Sequence, residues 1–184
     1  MQIKEIMEIS ANLLNRQNLV EFLKSNTDNG DAFAEYKRLI ELCNFVITDL
    51  TSLNFYIKNK LTKSISTSGI KLSSISNKLL KVLGVYNNDG EQVDYVIKND
   101  TLYPISEAEC VIFAEQPSRM NVDFDFEFEN ANLTSYIVAL GVCAEYCLVV
   151  ADFDNAVVWH EKYVENIKRI TKVKNFSTKQ RSWV

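Results

Sequence analysis

Apolar residues over 33–50 fall at Phe33, Tyr36, Ile40, Cys43, Ile47 and Leu50, spaced 3, 4, 3, 4 and 3. That spacing repeats at the helical period. Leu39, Val46 and Leu53 widen the stripe, while Glu35, Lys37, Arg38, Glu41 and Asp49 take the other side. The pattern predicts one long amphipathic helix. Two shorter helices precede it. Ile3, Ile6, Met7, Leu13 and Leu14 mark an apolar face over about residues 3–14. A polar break at Asn15-Arg16-Gln17 separates this from a short helix near residues 19–23, and a turn rich in Asn and Asp occupies residues 25–30.

The period changes after residue 53. Phe55-Tyr56-Ile57 leads into Lys/Ser/Thr-rich sequence up to residue 76, where one or two irregular strands are expected with Ile65, Ile70 and Leu72 pointing inward. Residues 79–113 read as a β-meander. Val82-Leu83-Gly84-Val85-Tyr86 runs into a turn at Asn87-Asn88-Asp89-Gly90, then comes Val93-Asp94-Tyr95-Val96-Ile97. A second turn at Lys98-Asn99-Asp100 precedes Leu102-Tyr103-Pro104 and Val111-Ile112-Phe113. β-Branched and aromatic runs broken by Asp-Gly and Asn-Asp are the signature of antiparallel hairpins. Gln116-Pro117-Ser118 closes the segment. Residues 122–129 then alternate strictly, with Val122, Phe124, Phe126 and Phe128 against Asp123, Asp125, Glu127 and Glu129. Extended backbone would put the aromatics on one face and the acids on the other.

Residues 131–151 are apolar apart from Glu145 and a polar cluster at Asn132, Thr134 and Ser135. The stretch is long enough to span a bilayer. Its flanks are acidic (Glu127 and Glu129; Asp152 and Asp154), so no basic anchor orients it. It is expected to form a buried helix over about residues 133–150, covered on all sides. Asp152-Phe153-Asp154-Asn155 supplies an N-cap for a second arm over about residues 155–171. There Phe153, Ala156, Val157, His160, Val164 and Ile167 recur at helical spacing. The chain thus predicts an α+β fold, a mainly α-helical bundle with an inserted small antiparallel β-sheet or meander and an extended C-terminal tail. Residues 1–54 supply N-terminal helices, 55–129 the β-rich insertion, 130–173 a helical hairpin completing the bundle, and 174–184 an extended arm.

Composition adds limits. A chain of 184 residues, 47% hydrophobic and 24% charged, is ordinary for a globular protein able to bury its own core. Two prolines and five glycines favour long regular elements. Four cysteines, Cys43, Cys110, Cys143 and Cys147, are too few for a disulfide scaffold, and a reducing compartment is the simpler inference. The opening residues mix charge into apolar positions and lack a signal-peptide core. The net charge of −4 is unevenly spread. From Lys162 onward seven bases face only Glu165, a net +6, which leaves −10 on the rest.

Candidate chemistry is sparse. His160 is the only histidine, whereas zinc or general-base work calls for partners. Cys143 and Cys147 share one helix face without a second ligand pair and read as small core residues. The acidic run at 123–129 lacks the glycine and oxygen spacing of a calcium loop. Walker A, Gly-x-Gly-x-x-Gly and Gly-x-Ser-x-Gly patterns are missing, so neither catalytic residues nor cofactors are expected.

The run Leu79-Leu80-Lys81-Val82-Leu83-Gly84-Val85-Tyr86-Asn87-Asn88-Asp89-Gly90-Glu91, with Val93-Asp94-Tyr95-Val96-Ile97, resembles the β-insertion of tailed-phage head–tail connector (adaptor) proteins, the tail tubular protein A-like proteins. The C-terminal block is similar too, with an apolar helix, an acidic break, Trp159-His160-Glu161-Lys162-Tyr163 and a basic tail. The likeness covers roughly residues 73–184. It implies a non-enzymatic virion protein of the neck, assembled in the host cytoplasm. Its copies would form a homo-oligomeric ring of about twelve between the portal and the tail or nozzle protein. Genomic DNA would pass through the channel without specific binding, and no membrane would be involved. By the same resemblance Lys174, Phe176, Lys179, Arg181 and Trp183 would dock on the portal. An anionic wall would let DNA slide; charge reversal of lumen residues without effect on DNA retention would count against that hypothesis. Two other readings stay open. One is another phage assembly factor, such as a head-completion or tail-terminator protein. The other is a small cytosolic interaction or nucleic-acid-binding module, whose salt-sensitive DNA binding would be lost on deleting residues 174–184.

Overall fold

The long stripe forms a helix that ends at Ser52, one residue short of Leu53, and the chain turns at Asn54. In the computed structural model, which describes residues 1–25 and 30–174, the helices are α1 (Ile3–Leu13), α2 (Gln17–Ser25), α3 (Gly30–Ser52), α4 (Ser135–Val149) and α5 (Phe153–Lys174). The strands are β1 (Lys58–Ile65), β2 (Ile70–Lys71), β3 (Leu79–Tyr86), β4 (Tyr95–Lys98), β5 (Thr101–Pro104) and β6 (Ala108–Glu115), with a 3₁₀ turn at Leu72–Ser74. The fold is α+β, as the sequence predicts.

Three of the helices end in the same way. After α1, α3 and α4 the chain takes a left-handed residue, Asn15 (φ 55°), Asn54 (φ 67°) and Ala151 (φ 59°). At each end the following amide reaches back five residues: Arg16 to the Ala11 carbonyl, Phe55 to Leu50 and Asp152 to Cys147, at 2.8–2.9 Å. The left-handed residue's own amide bonds the carbonyl three back, of Asn12, Thr51 and Leu148 respectively. This is the Schellman stop, which satisfies carbonyls that a helix end leaves orphaned. At α3 it also packs buried Phe55 onto buried Leu50, the apolar contact that often accompanies the motif.

The described residues divide into two compact units, one helical (within 1–47, 120–125 and 131–174) and one built around the sheets (48–119 and 126–130). In the helical unit α4 packs against α1 and α5, and α1 against α2. Ile137 to Ala144 are buried all round, as an apolar helix without a polar face requires. Its 15 residues fall short of a span, and among the described residues no helix is long and apolar enough to cross a membrane. On α1 the buried face is Ile3, Ile6, Met7, Ser10 and Ala11, while Leu13 and Leu14 are only half-buried. Ser10 can lie inside because its hydroxyl donates to the Ile6 carbonyl at 2.8 Å. Gly141 lets α3 and α5 come close: a Cβ there would stand 2.9 Å from Val46 Cγ1 and 3.1 Å from Tyr163 Cε2.

The sheet unit departs from a simple meander. It holds two three-stranded antiparallel sheets, ordered β1-β6-β3 and β2-β5-β4. The turn at Asn87–Gly90 forms, with Gly90 at φ 78°, and Tyr86 bridges Gln92 before the chain leaves β3. Only β4 and β5 make a tight hairpin, around Asn99 and Asp100, both at positive φ as a two-residue turn demands. β3 pairs instead with β6, whose eight residues are long enough to be shared by β1 and β3. One core, including Ile65, Val82, Val85, Leu102, Val111 and Phe113, draws on both sheets, so splitting the strands loses no burial. Ile65 is fully inward, whereas Ile70 and Leu72 are half-buried at its margin.

The alternating segment 122–129 is extended but is not one strand. In the helical unit the Lys4 amide donates to the Val122 carbonyl at 3.1 Å, and the Met120 amide donates to Asn44 Oδ1 at 2.7 Å. In the sheet unit Phe126 and Phe128 are buried with ring centroids 5.4 Å apart, and Glu127 faces out to Lys58 at 3.1 Å. Phe124 is the exception to the aromatic-inward pattern and is exposed.

Candidate interaction surfaces

α5 meets its neighbours through Ala156, Tyr163 and Ile170, seven residues apart and buried. Of the stripe read from the sequence, Ala156 lies on that line and Ile167 is half-buried, whereas Phe153, Val157 and His160 are turned away from it. His160 is exposed, Val164 half-buried, and Phe153 and Val157 are 63% and 58% exposed. The aromatic bulk of Tyr163 and the close approach at Gly141 fix which face goes inward. At the end of α4, Leu148, Val149 and Val150 are exposed as well, Val149 by 53%. The turn between the helices is well bonded. Asp152 caps α5, its Oδ1 accepting from the Asn155 amide at 3.4 Å and its Oδ2 from Asn155 Nδ2 at 2.8 Å. The result is a firm corner with an apolar surface. Its charged neighbours between 145 and 162 are Glu145, Asp152, Asp154 and Glu161, opposed by Lys162, whose ammonium lies 4.4 Å over the Trp159 ring. Exposed apolar groups in one place mark contact surfaces more often than isolated ones do.

Beside this corner lies a polar network. Tyr146 donates its hydroxyl to Glu35 Oε1 at 3.0 Å, Arg16 Nη1 lies 3.9 Å from the same oxygen, and the guanidinium stands 5.4 Å above the Tyr146 ring. An open cleft of about 270 Å³ is lined by Asn15, Gln17, Asn18, Asp31 and Glu35, and one of about 180 Å³ by Tyr146, Asp152, Asn155 and Trp159; Arg16 borders both. Burial, and then the Glu35 contact, raises the Tyr146 phenol. Burial and the nearby Asp152 raise the Cys147 thiol against the lowering effect of Arg16. A protonated phenol and thiol are poor bases and nucleophiles. Cys43 and Cys143 are held the same way. Burial pushes Cys143 up to about 12, with Cys147 adding to it, and burial also raises Cys43. All four cysteines are free and buried. Among the described residues no group of three or more His, Cys, Asp or Glu side chains is arranged to hold a metal ion.

The sheet unit has its own exposed apolar face. Antiparallel pairing sets Lys71 opposite Thr101, Thr101 opposite Lys98, and Tyr103 opposite Val96, so these side chains share one face of the β2-β5-β4 sheet. Leu102 occupies the other face and is buried. Gly69 (φ 87°) lies under Tyr103: a Cβ there would meet the ring at 2.8 Å. Val96, Tyr103 and the neighbouring Ile105 are exposed. The face is one row of lysine and threonine beside one row of apolar side chains, with Asp94 next along, opposite Ile105.

Of the residues expected to dock on a portal, Lys174 ends α5, while Phe176, Lys179, Arg181 and Trp183 lie outside the described residues. The resemblance would turn the β-insertion towards the tail side or an adjacent subunit, but it marks neither the β2-β5-β4 face nor the α4–α5 corner. The legible signal was Phe153 set between two aspartates, an apolar residue in a polar turn. The chain matches no protein-family model and no curated protein.

Proposed function

We propose that this chain is a structural subunit of a tailed-phage head–tail connector and transforms no substrate. Copies close into a ring, about twelve in the family it resembles, that joins portal to tail and lines the DNA channel. The resemblance over residues 73–184 supports this reading, and so does the chemistry of the described surface. The observation that carries it is exposed apolar surface at two separate places, the α4–α5 corner and the β2-β5-β4 face, beside clefts whose phenol and thiol are held protonated. Surfaces of that kind are built to dock on other chains. The terminal segment with Lys174, Phe176, Lys179, Arg181 and Trp183 would grip the portal, since aromatic and arginine side chains are common anchors.

The test removes residues 174–184 and measures incorporation into particles by mass spectrometry alongside infectivity. The proposal expects both to fall sharply. Incorporation and infectivity equal to those of the full chain would refute the terminal grip.

A further inference from the structure

We propose that the α4–α5 corner of one copy receives the outer face of the β2-β5-β4 sheet of a second copy. The inference deepens the connector reading and rests on it for the closure of many copies into a ring. Each surface is apolar at its centre, Phe153, Val157 and Val149 on one and Val96 and Tyr103 on the other. Their charges differ in sign. Asp152, Asp154 and Glu161 outnumber Lys162 at the corner, and Lys71 and Lys98 outnumber Asp94 on the sheet face. Pairing the corner with another corner would bring acid against acid, and pairing two sheet faces would bring lysine against lysine. Like charges across an interface are strongly disfavoured, whereas unlike ones steer the partners together. The unlike pair is therefore the favoured one, and it is heterologous. A contact between two different patches repeats from copy to copy and closes into a ring or continues as a filament.

Arg16, the base bordering the adjacent cleft, is already engaged by Glu35 and Tyr146, so it does not neutralise the corner.

The experiment uses full chains carrying Val157→Cys or Val96→Cys, because the four native thiols are buried. Each variant alone, and an equal mixture, is treated with a short bismaleimide at roughly 100 µM chain. Circular dichroism checks that both fold. The proposal expects about tenfold more cross-linked dimer in the mixture than in either variant alone, given the cost of like-charge juxtaposition. Adding Lys71→Glu with Lys98→Glu to the Val96→Cys chain should abolish it, and adding Asp154→Lys with Glu161→Lys to the Val157→Cys chain should then restore it. Cross-linking of Val157→Cys alone as strongly as the mixture would overturn the proposal in favour of a two-fold contact. A cross-link that forms only once residues 175–184 are removed would overturn it in favour of the terminus as occupant. Absence of any cross-link would overturn it outright. The connector reading is judged separately: a chain that fails to cross-link yet enters particles removes only this surface, and one that cross-links yet never enters particles removes only the connector.

Discussion

Replacing Ala151 by glycine should stabilise the protein, although it removes a methyl group and adds none. Ala151 holds φ 59° at the stop of α4, where the Asp152 amide bonds the Cys147 carbonyl at 2.8 Å and its own amide bonds Leu148 at 3.2 Å. A left-handed conformation costs a non-glycine residue about 1–2 kcal/mol. Glycine relieves that cost but loses roughly 0.4–1 kcal/mol through its freer unfolded chain. Ala151 is exposed, so no burial is forfeited. The net gain is roughly 0–1.6 kcal/mol, centred near 0.8. For a chain of this size that is a rise in Tm of about 2–3 °C. Urea unfolding followed by fluorescence of Trp159, which sits on α5, reads the change as a higher midpoint at unchanged slope. Asn15→Gly and Asn54→Gly serve as controls. Asparagine already tolerates the left-handed region, so their gain should be smaller. A midpoint lowered by Ala151→Gly, or raised equally by all three, would refute the reasoning.

Three further outcomes follow from the same geometry. Gly141→Ala should lose about 1 kcal/mol in urea unfolding, because overpacking against Val46 and Tyr163 outweighs alanine's better helix propensity; a gain would mean that the helices part easily. Cys143, with its thiol pushed to about 12 in the fold against an ordinary value of ~8.5, stabilises fully below about pH 8.5. That contribution should fade as pH rises towards 12, so a urea midpoint unchanged between pH 8.5 and 11 would contradict it, and a thiol reagent should label the four cysteines only on unfolding. Phe153→Ser should change stability by less than about 0.5 kcal/mol, since the ring is mostly exposed, yet weaken self-association in sedimentation; equal self-association would clear this residue of any role in contact.

Much of the architecture was written in local pattern. The 3-4 spacing over α3, the apolar run of α4 and the Asn-Asp turn of the β4–β5 hairpin each have one satisfactory outcome. What eluded sequence reasoning was decided by competition between distant residues. β3 could pair with β4 through the Asp-Gly turn, but β6 offers eight residues of ladder and completes the core at Val111 and Phe113. α5 carries two apolar lines, and only its packing with Gly141 and Tyr163 selects the inner one. The segment 122–129 alternates like a strand, yet its halves bond to different units. The contact surfaces followed from those choices, since an unselected apolar line becomes an exposed one. The polar network of Arg16, Glu35 and Tyr146 joins residues far apart in sequence and had no local signal at all.

The most direct test of the connector account is electron microscopy of purified phage particles carrying this chain, with its position and copy number read from the density. The account predicts a closed ring of identical subunits, joined head to tail, between the portal and the tail. Particles that lack the chain, or that carry it as scattered single copies away from the neck, would contradict it.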